Sequence, residues 1–425
     1  MDDWALATIA AVLLAFAAAS GWLQRWYVTA AMFFVTAGLL AGPVLGLLDL
    51  GLGGEPVKLL AEVTLTLVLF ADASRISLSA LRNEFSVPLR LLGIGLPLTI
   101  VAGALAGVAL LPGVGLAEAF LLAVILACTD AALGQAVVTD KRLPSRIRQG
   151  LNVESGLNDG LCVPLFWIAL GVAQAEEGVL TDNAALRLVL EEIGYGVVGG
   201  AVAGAIGVVA LRTGASRGWA EGHWVQILTA ATAFLAAGIA TALHGSFFIA
   251  AFVGGLVFGS FRRADGPEVT HLIDEGGELL NAVTLIVFGA AILGPALDEI
   301  TWQVVAYALL SLTLVRMVPV ALAMLGTGAR RPTVAFLGWF GPRGLASIVF
   351  AVMMLQEGAL PHERSLLLAI VLTVGISVYA HGVSAGALTE RYVAWFTSHP
   401  QDRRPAMESV SASEHRWRTP GAVRG

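Results

Sequence analysis

The chain has 425 residues, of which 57% are hydrophobic and 13% charged, with a mean hydropathy of +0.81. Apolar runs repeat along its whole length, which excludes a soluble domain and specifies a polytopic helical membrane protein. The net charge of −6 is modest and the basic residues are scattered over short loops, a pattern that excludes nucleic acid as a partner.

About thirteen apolar stretches, each of about twenty residues, begin near residues 4, 27, 57, 91, 117, 149, 187, 224, 246, 273, 302, 333 and 364. The first follows Met1-Asp2-Asp3, which lacks the positive leader of a cleaved signal peptide, so this span is expected to be retained. Lys and Arg concentrate in alternating loops, at Arg25, Arg75, Arg82, Arg90, Lys141, Arg142, Arg146, Arg148, Arg212, Arg217, Arg262, Arg263, Arg330 and Arg331, and in the tail from Arg391 onward. Lys58, Arg187 and Arg364 fall on the other side, where Glu55, Glu176, Glu177 and Glu299 gather. The bias places the N-terminus outside and the C-terminus in the cytoplasm. Residues 1–388 read as one transmembrane domain, and 389–425, rich in Arg, Ser and Pro, as a short disordered cytoplasmic tail.

Gly103 and Gly107 in span 4, and Gly196, Gly200 and Gly204 in span 7, are packing faces without chemistry. Cys128 and Cys162 lie inside apolar spans and read as small packed thiols.

Span 6 departs from this blandness. Its segment QGLNVESGLNDGLCV, residues 149–163, places Glu154, Ser155, Asn158 and Asp159 inside an apolar stretch. On a helix Ser155 and Asp159 share a face, with Glu154 and Asn158 on the neighbouring stripe. Each ionised group at mid-bilayer costs about 2.5 to 3.5 kcal/mol on insertion scales, so such residues face a cavity or a partner. The alternatives for the cluster are a structural ion pair or a functional site. Arg316 and Arg343 are the cations inside the spans, against Asp72, Asp130, Glu154 and Asp159. Full ionisation of those acids leaves a negative excess that a proton or a bound cation must neutralise, the condition for an exchange site.

Spans 1–6 and 8–13 have opposite orientations and are expected to form two inverted six-helix repeats joined by span 7. Spans 5 and 12 then correspond. Both have breakable centres, ACTDAALG at 127–134 and GWFGPRG at 338–344. Pro342 with Gly341 and Gly344 favours an interruption in span 12, with an ordinary proline kink as the alternative. The fold expected is therefore an all-α membrane protein with crossed discontinuous helices 5 and 12, in which Asp130 lies near Arg343.

These residues resemble the monovalent cation/proton antiporters, in particular the NhaP-like sodium/proton group that includes the eukaryotic sodium/proton exchangers. Thr129-Asp130 resembles the family's unwound TD motif, Glu154-Ser155 through Asn158-Asp159 its ESGLND motif, and Arg316 and Arg343 its two buried arginines. HGSFFIAAFVGGL at 244–256 and His381-Gly382 are weaker echoes. The resemblance implies that Asp159 binds proton and cation alternately and that Ser155 and Thr129 complete a monovalent-cation shell. It also implies that Asp130 and Asn158 belong to the cation/proton-binding set, with Asn158 holding neighbouring backbone or Asp130, that Glu154 pairs with Arg316, and that the protein is a homodimer of the cell membrane. No cofactor is implied beyond the transported ions. Asp72 is open between a cation ligand, a helix cap and a partner of Arg75. His381 reads as a polar residue near a cytoplasmic helix end, with pH tuning as the alternative. Ala131 stands where the family usually has proline, so the break in span 5 is expected to be less sharp.

One titrating Asp beside a neutral Asn supports electroneutral exchange of one proton for one cation, sodium or lithium first, with potassium as the alternative. A sodium-coupled solute symporter is a second rival. An enzyme is disfavoured, because the spans contain no paired His ligands, reactive Ser elbow or Cys-His arrangement.

Overall fold

The computed structural model describes residues 4–48, 54–76, 86–261, 267–357, 359–399 and 405–410. Arg82, Arg262, Arg263, Arg403, Arg404 and the tail from residue 411 lie outside them. Among the described residues the secondary structure is entirely helical. In chain order the principal helices are α1 (Ala5–Arg25), α2 (Ala30–Leu39), α3 (Glu55–Arg75), α4 (Leu96–Leu110), α5a (Leu116–Ala127), α5b (Gln135–Val138), α6 (Ser145–Glu176) and α7 (Asp182–Ser216). They continue as α8 (His223–Ala242), α9 (Phe247–Phe261), α10 (His271–Val287), α11a (Trp302–Leu312), α11b (Leu314–Ala323), α12a (Arg331–Trp339), α12b (Leu345–Glu357) and α13 (Glu363–Thr397). Short π and 3-10 turns extend several of them.

Eight helical stretches among the described residues are long and apolar enough to cross a membrane, and shorter apolar helices occupy Ala30–Val44, Leu116–Ala127, Phe247–Ser260 and Leu345–Glu357. The helical state follows from the solvent: hydrocarbon cannot satisfy backbone N–H and C=O groups, so each segment must bond internally. Helices 5 and 12 are interrupted, as their polar and Pro-Gly centres predict. In span 5 the helix stops at Ala127 and Cys128 turns extended (φ −58°, ψ 140°), with Ala131 in place of proline.

The described residues divide into two compact units. The larger is drawn from Met1–Thr64, Ser86–Val189 and Leu279–Ser411, and the smaller from Leu65–Phe85 and Leu190–Glu278. Within the smaller unit, α7 presents Gly196 and Gly204 to the chain around α9. A Cβ on Gly196 would stand 2.8 Å from Ser246 O, and one on Gly204 2.7 Å from Gly254 O. Glycine at this spacing lets two backbones approach where lipid supplies no hydrophobic drive. Within the larger unit, Gly103 and Gly107 of α4 pack in the same manner on Ala123 and Ala119 of α5a.

Beyond the boundary read at residue 388, α13 continues to Thr397, and a helical turn at Ala406–Ser409 is buried at Met407 and Glu408. The Glu408 carboxylate accepts from Arg330 N at 2.9 Å and Thr333 Oγ1 at 2.6 Å. Arg330 caps α12a, whose first amides have no intrahelical acceptor, and a carboxylate suits that end of the helix dipole.

Candidate functional site

The site is assembled from α6 and the two interrupted helices, all within the larger unit. α6 runs 32 residues and carries Glu154, Ser155, Asn158 and Asp159, each buried. The break in α5 releases carbonyls that a helix would have bonded, and polar side chains answer them one by one. Asn158 Nδ2 donates to Ala127 O at 2.9 Å and to Thr129 Oγ1 at 3.2 Å. Ser155 Oγ lies 2.9 Å from Thr129 O and 3.1 Å from Thr129 Oγ1. Arg343 Nη1 donates to both Ala127 O and Cys128 O at 3.0 Å. Asp159 stands one turn beyond Ser155 and is 8% exposed.

In the other interruption Pro342 has no N–H, and its ring disfavours the α conformation in the residue before it, so residues 340–344 leave the helix. The two broken segments touch through backbone: Asp130 N donates to Pro342 O at 2.8 Å. Around that contact the side chains are exchanged. Asp130 Oδ2, from the α5 break, accepts from Leu345 N at 2.8 Å and so caps α12b, while its Oδ1 accepts from Ala132 N at 2.7 Å. Arg343, from the α12 break, caps the carbonyl end of α5a. Each charge has the sign its helix end favours, a carboxylate at an N-terminus and a guanidinium at a C-terminus. Asp130 and Arg343 thus meet at one crossing, and each bonds the backbone of the other's helix.

The glycines of GPRG are required by close approach. A Cβ on Gly341 would stand 2.6 Å from Arg316 Nε, and one on Gly344 would overlap the Asp130 carboxylate. Arg316 in turn pairs with Glu154 through contacts of 2.7 and 2.9 Å, with both side chains 2% exposed. The buried pair therefore lies against the α12 break.

Asp72 belongs to the smaller unit, at the end of α3. There Arg75 Nη1 meets Asp72 Oδ1 at 3.0 Å and Arg75 Nη2 pairs with Asp274, which accepts from Thr270 Oγ1 at 3.1 Å. Of the three alternatives for Asp72, the structure displays the pairing with Arg75.

One pair goes unnoticed in the sequence, and one residue is read at the wrong place. Glu118, in the first turn of α5a, is fully buried and accepts from His362 N at 3.0 Å, with His362 Nδ1 at 2.8 Å. His381 is not near a helix end. α13 is 35 residues long, which puts His381 at mid-helix, 2% exposed and against the α12 break. The spacing of Ser377, His381 and Ser384 along one helix face is the signal that could have found it.

A family model described as "Sodium/hydrogen exchanger, transmembrane" matches residues 9–391. The chain belongs to this family. Among its relatives, the Na(+)/H(+) antiporter NhaP of Pseudomonas aeruginosa is 32% identical over 351 residues, covering 77% of this chain and 79% of that one. A K(+)/H(+) antiporter NhaP of Alkalimonas amylolytica is 24% identical over 344 residues, covering 78% and 57%. The sodium proton antiporter MjNhaP1 of Methanocaldococcus jannaschii, solved at pH 8, superposes with a TM-score of 0.75 at 19% identity, covering 92% of this chain and 98% of that one. The fold is thus that of an antiporter of this family. The sodium/hydrogen exchangers are cation/proton antiporters, secondary transporters rather than enzymes, and this member is a multi-pass integral membrane protein.

Proposed function

We propose that the chain exchanges one sodium or lithium ion for one proton across the cell membrane, with Asp159 as the carboxylate for which the two ions compete. One observation carries this: Ser155 bonds the carbonyl and hydroxyl of Thr129 at the point where α5 unwinds, and Asp159 follows one turn later on the same buried face. Oxygen donors and a carboxylate at an interrupted helix form the kind of site in which half-helix ends coordinate a monovalent cation. Burial favours the protonated acid and a nearby cation favours the carboxylate, so a single group serves both ions in turn.

Asp130, Glu154 and Asp159 face Arg316 and Arg343 in formal charge, which leaves one negative charge when all five ionise. Either a proton or a monovalent cation neutralises it, which supports electroneutral exchange. Asn158 supports the same stoichiometry, because its amide donates to Ala127 O and a carboxylate in its place could not. Glu154, Arg316, Arg343, Asp130 and Asn158 act as the frame rather than as ion ligands. Access alternates as one bundle rocks against the other around the fixed site, in an inverted-repeat architecture with the N-terminus outside, the C-terminus cytoplasmic and two copies per assembly.

Proteoliposomes with an inward-acidic pH gradient test this. Sodium or lithium should drive alkalinisation that is abolished in Asp159→Asn and unchanged when the membrane potential is clamped or released. Activity should pass through a maximum between pH 5 and 9, and a monotonic profile there sinks single-site competition. The potassium-exchanging relative motivates a second reading, the same mechanism with potassium, for which potassium alone would elicit the flux.

A further inference from the structure

Ser377, His381 and Ser384 lie at i, i+4 and i+7 on α13, hence on one face. All three engage the end of α12a and the interruption that follows it. Ser377 Oγ accepts from Arg343 N at 2.7 Å, His381 Nε2 lies 2.9 Å from Trp339 O, and Ser384 Oγ accepts from Trp339 Nε1 at 2.9 Å. The imidazole also packs on the Trp339 indole, with ring centroids 5.1 Å apart and an interplanar angle of 32°.

Trp339 O can only accept, so His381 Nε2 carries a hydrogen. Nδ1 lies 3.1 Å from Ser377 Oγ and 3.0 Å from Ser377 O, and Ser377 Oγ also accepts from Arg343 N. The imidazole thus completes a hydrogen-bonded relay from Arg343 N through Ser377 and His381 to Trp339 O. The relay joins the last residue of α12a to the residue whose guanidinium caps α5a. In hydrocarbon the released groups have no water to turn to, so this face of α13 replaces the missing helical bonds.

We propose that His381, with Ser377 and Ser384, is a positioning residue for transport: it fixes the interrupted stretch of α12 and thereby the register of the α5–α12 crossing. Its bonds go to Ser377 and Trp339, and it acts through Arg343 and Asp130. The proposal rests on the crossing being the ion site. Its substrate-independent part is that the relay keeps residues 339–345 ordered.

The test compares wild type, His381→Leu and His381→Gln as purified full chains, measuring sodium-driven proton flux in proteoliposomes and amide exchange of residues 339–345 by mass spectrometry. Gln can donate to Trp339 O and accept from Ser377, whereas Leu can do neither. His381→Leu should lose at least about tenfold in maximal velocity and exchange faster at 339–345, with sodium half-saturation moving less than about threefold. His381→Gln should recover velocity to within about threefold of wild type and restore protection. Wild-type velocity and protection in His381→Leu would overturn the proposal, as would a His381→Gln protein that folds normally yet is as slow as Leu. Should His381→Leu not fold, Ser377→Ala cuts the same relay by one atom and should show the same velocity loss. The exchange contrast is read without transport, so a wild type that shows it but moves no cation sinks the antiport reading and supports the positioning role.

Discussion

The two interrupted helices meet the same difficulty, backbone released from helical bonding among buried residues, and meet it with different supports. At the α5 break the carbonyls of residues 127–129 are answered by the donors Ser155, Asn158 and Arg343, and the amides that follow by Pro342 O and the Asp130 carboxylate. At the α12 break amides are released as well, and the acceptors Asp130 and Ser377 answer them. The α5 break gathers the carbonyl and hydroxyl oxygens of Thr129, suited to a cation, while the start of α12b presents the Leu345 N–H that the Asp130 carboxylate caps. The α6 side chains that hold α5, Ser155 and Asn158, flank Asp159 in the chain, whereas α12 is held by Ser377, His381 and Ser384 of α13. Disturbing the first should change ion affinity; disturbing the second should change turnover.

The largest expected effect comes from the ion pair packed against the α12 break. Glu154→Ala or Arg316→Ala alone leaves an uncompensated charge in a site that is 2% exposed, at a cost of about 3 to 5 kcal/mol. Removing both partners should cost less than either single change, since no lone charge remains. Unfolding of the detergent-solubilised variants checks this, and a double variant that sums the two singles would show the residues to be independent. Next comes Gly344→Ala, whose methyl would overlap the Asp130 carboxylate that caps α12b. Overpacking there should cost about 3 kcal/mol and abolish flux in the protein that does fold. Alanine at Gly238, where nothing stands within 4 Å of the added Cβ, serves as the control and should be near neutral.

Ser155→Ala addresses the other break. It removes the hydroxyl that reaches Thr129 O and Oγ1 at 2.9 and 3.1 Å. Loss of one such bond, about 1 kcal/mol, should raise the sodium half-saturation about fivefold while maximal velocity stays within about twofold. That is the reverse of the split expected for His381→Leu. Matching splits for the two variants would mean that the breaks are one rigid object and that their supports are not separable.

How far the chain was legible follows from which signals are local. The apolar runs and the polar ESGLND insertion stand out because charge in a hydrocarbon span must be accounted for. Pro342 and its glycines announce an interruption by removing an N–H and a Cβ. The exchange of partners between Asp130 and Arg343 was not legible, because capping depends on which helix end points at a residue and not on spacing. Serines in membrane helices commonly bond their own preceding turn, so Ser377 and Ser384 carry no signal individually. His381 was misplaced because a span of about twenty residues starting near 364 ends close to it, whereas α13 runs on to Thr397. Glu118 escaped for a similar reason: at the start of a span it reads as a loop-facing acid, yet its partner His362 is distant in sequence.

The smallest effect should come from Ala131→Pro, which restores the family's usual residue and asks whether proline makes the α5 break or merely tolerates it. Here the helix already ends at Ala127, and residues 131–134 form a turn. Among the described backbone bonds outside helices, none begins at Ala131 N, so proline removes no donor that is in use. The turn is held instead by Asp130, whose Oδ1 accepts from Ala132 N and Leu133 N. Where the native backbone suits it, proline stabilises by about 0.4 to 1 kcal/mol through the unfolded chain. Ala131→Pro should therefore raise the unfolding midpoint slightly and leave sodium half-saturation and velocity within about twofold of wild type. A large loss would mean that proline conflicts with the Asp130 turn, and that the break in this chain has its own geometry, set by the carboxylate rather than by the residue after it.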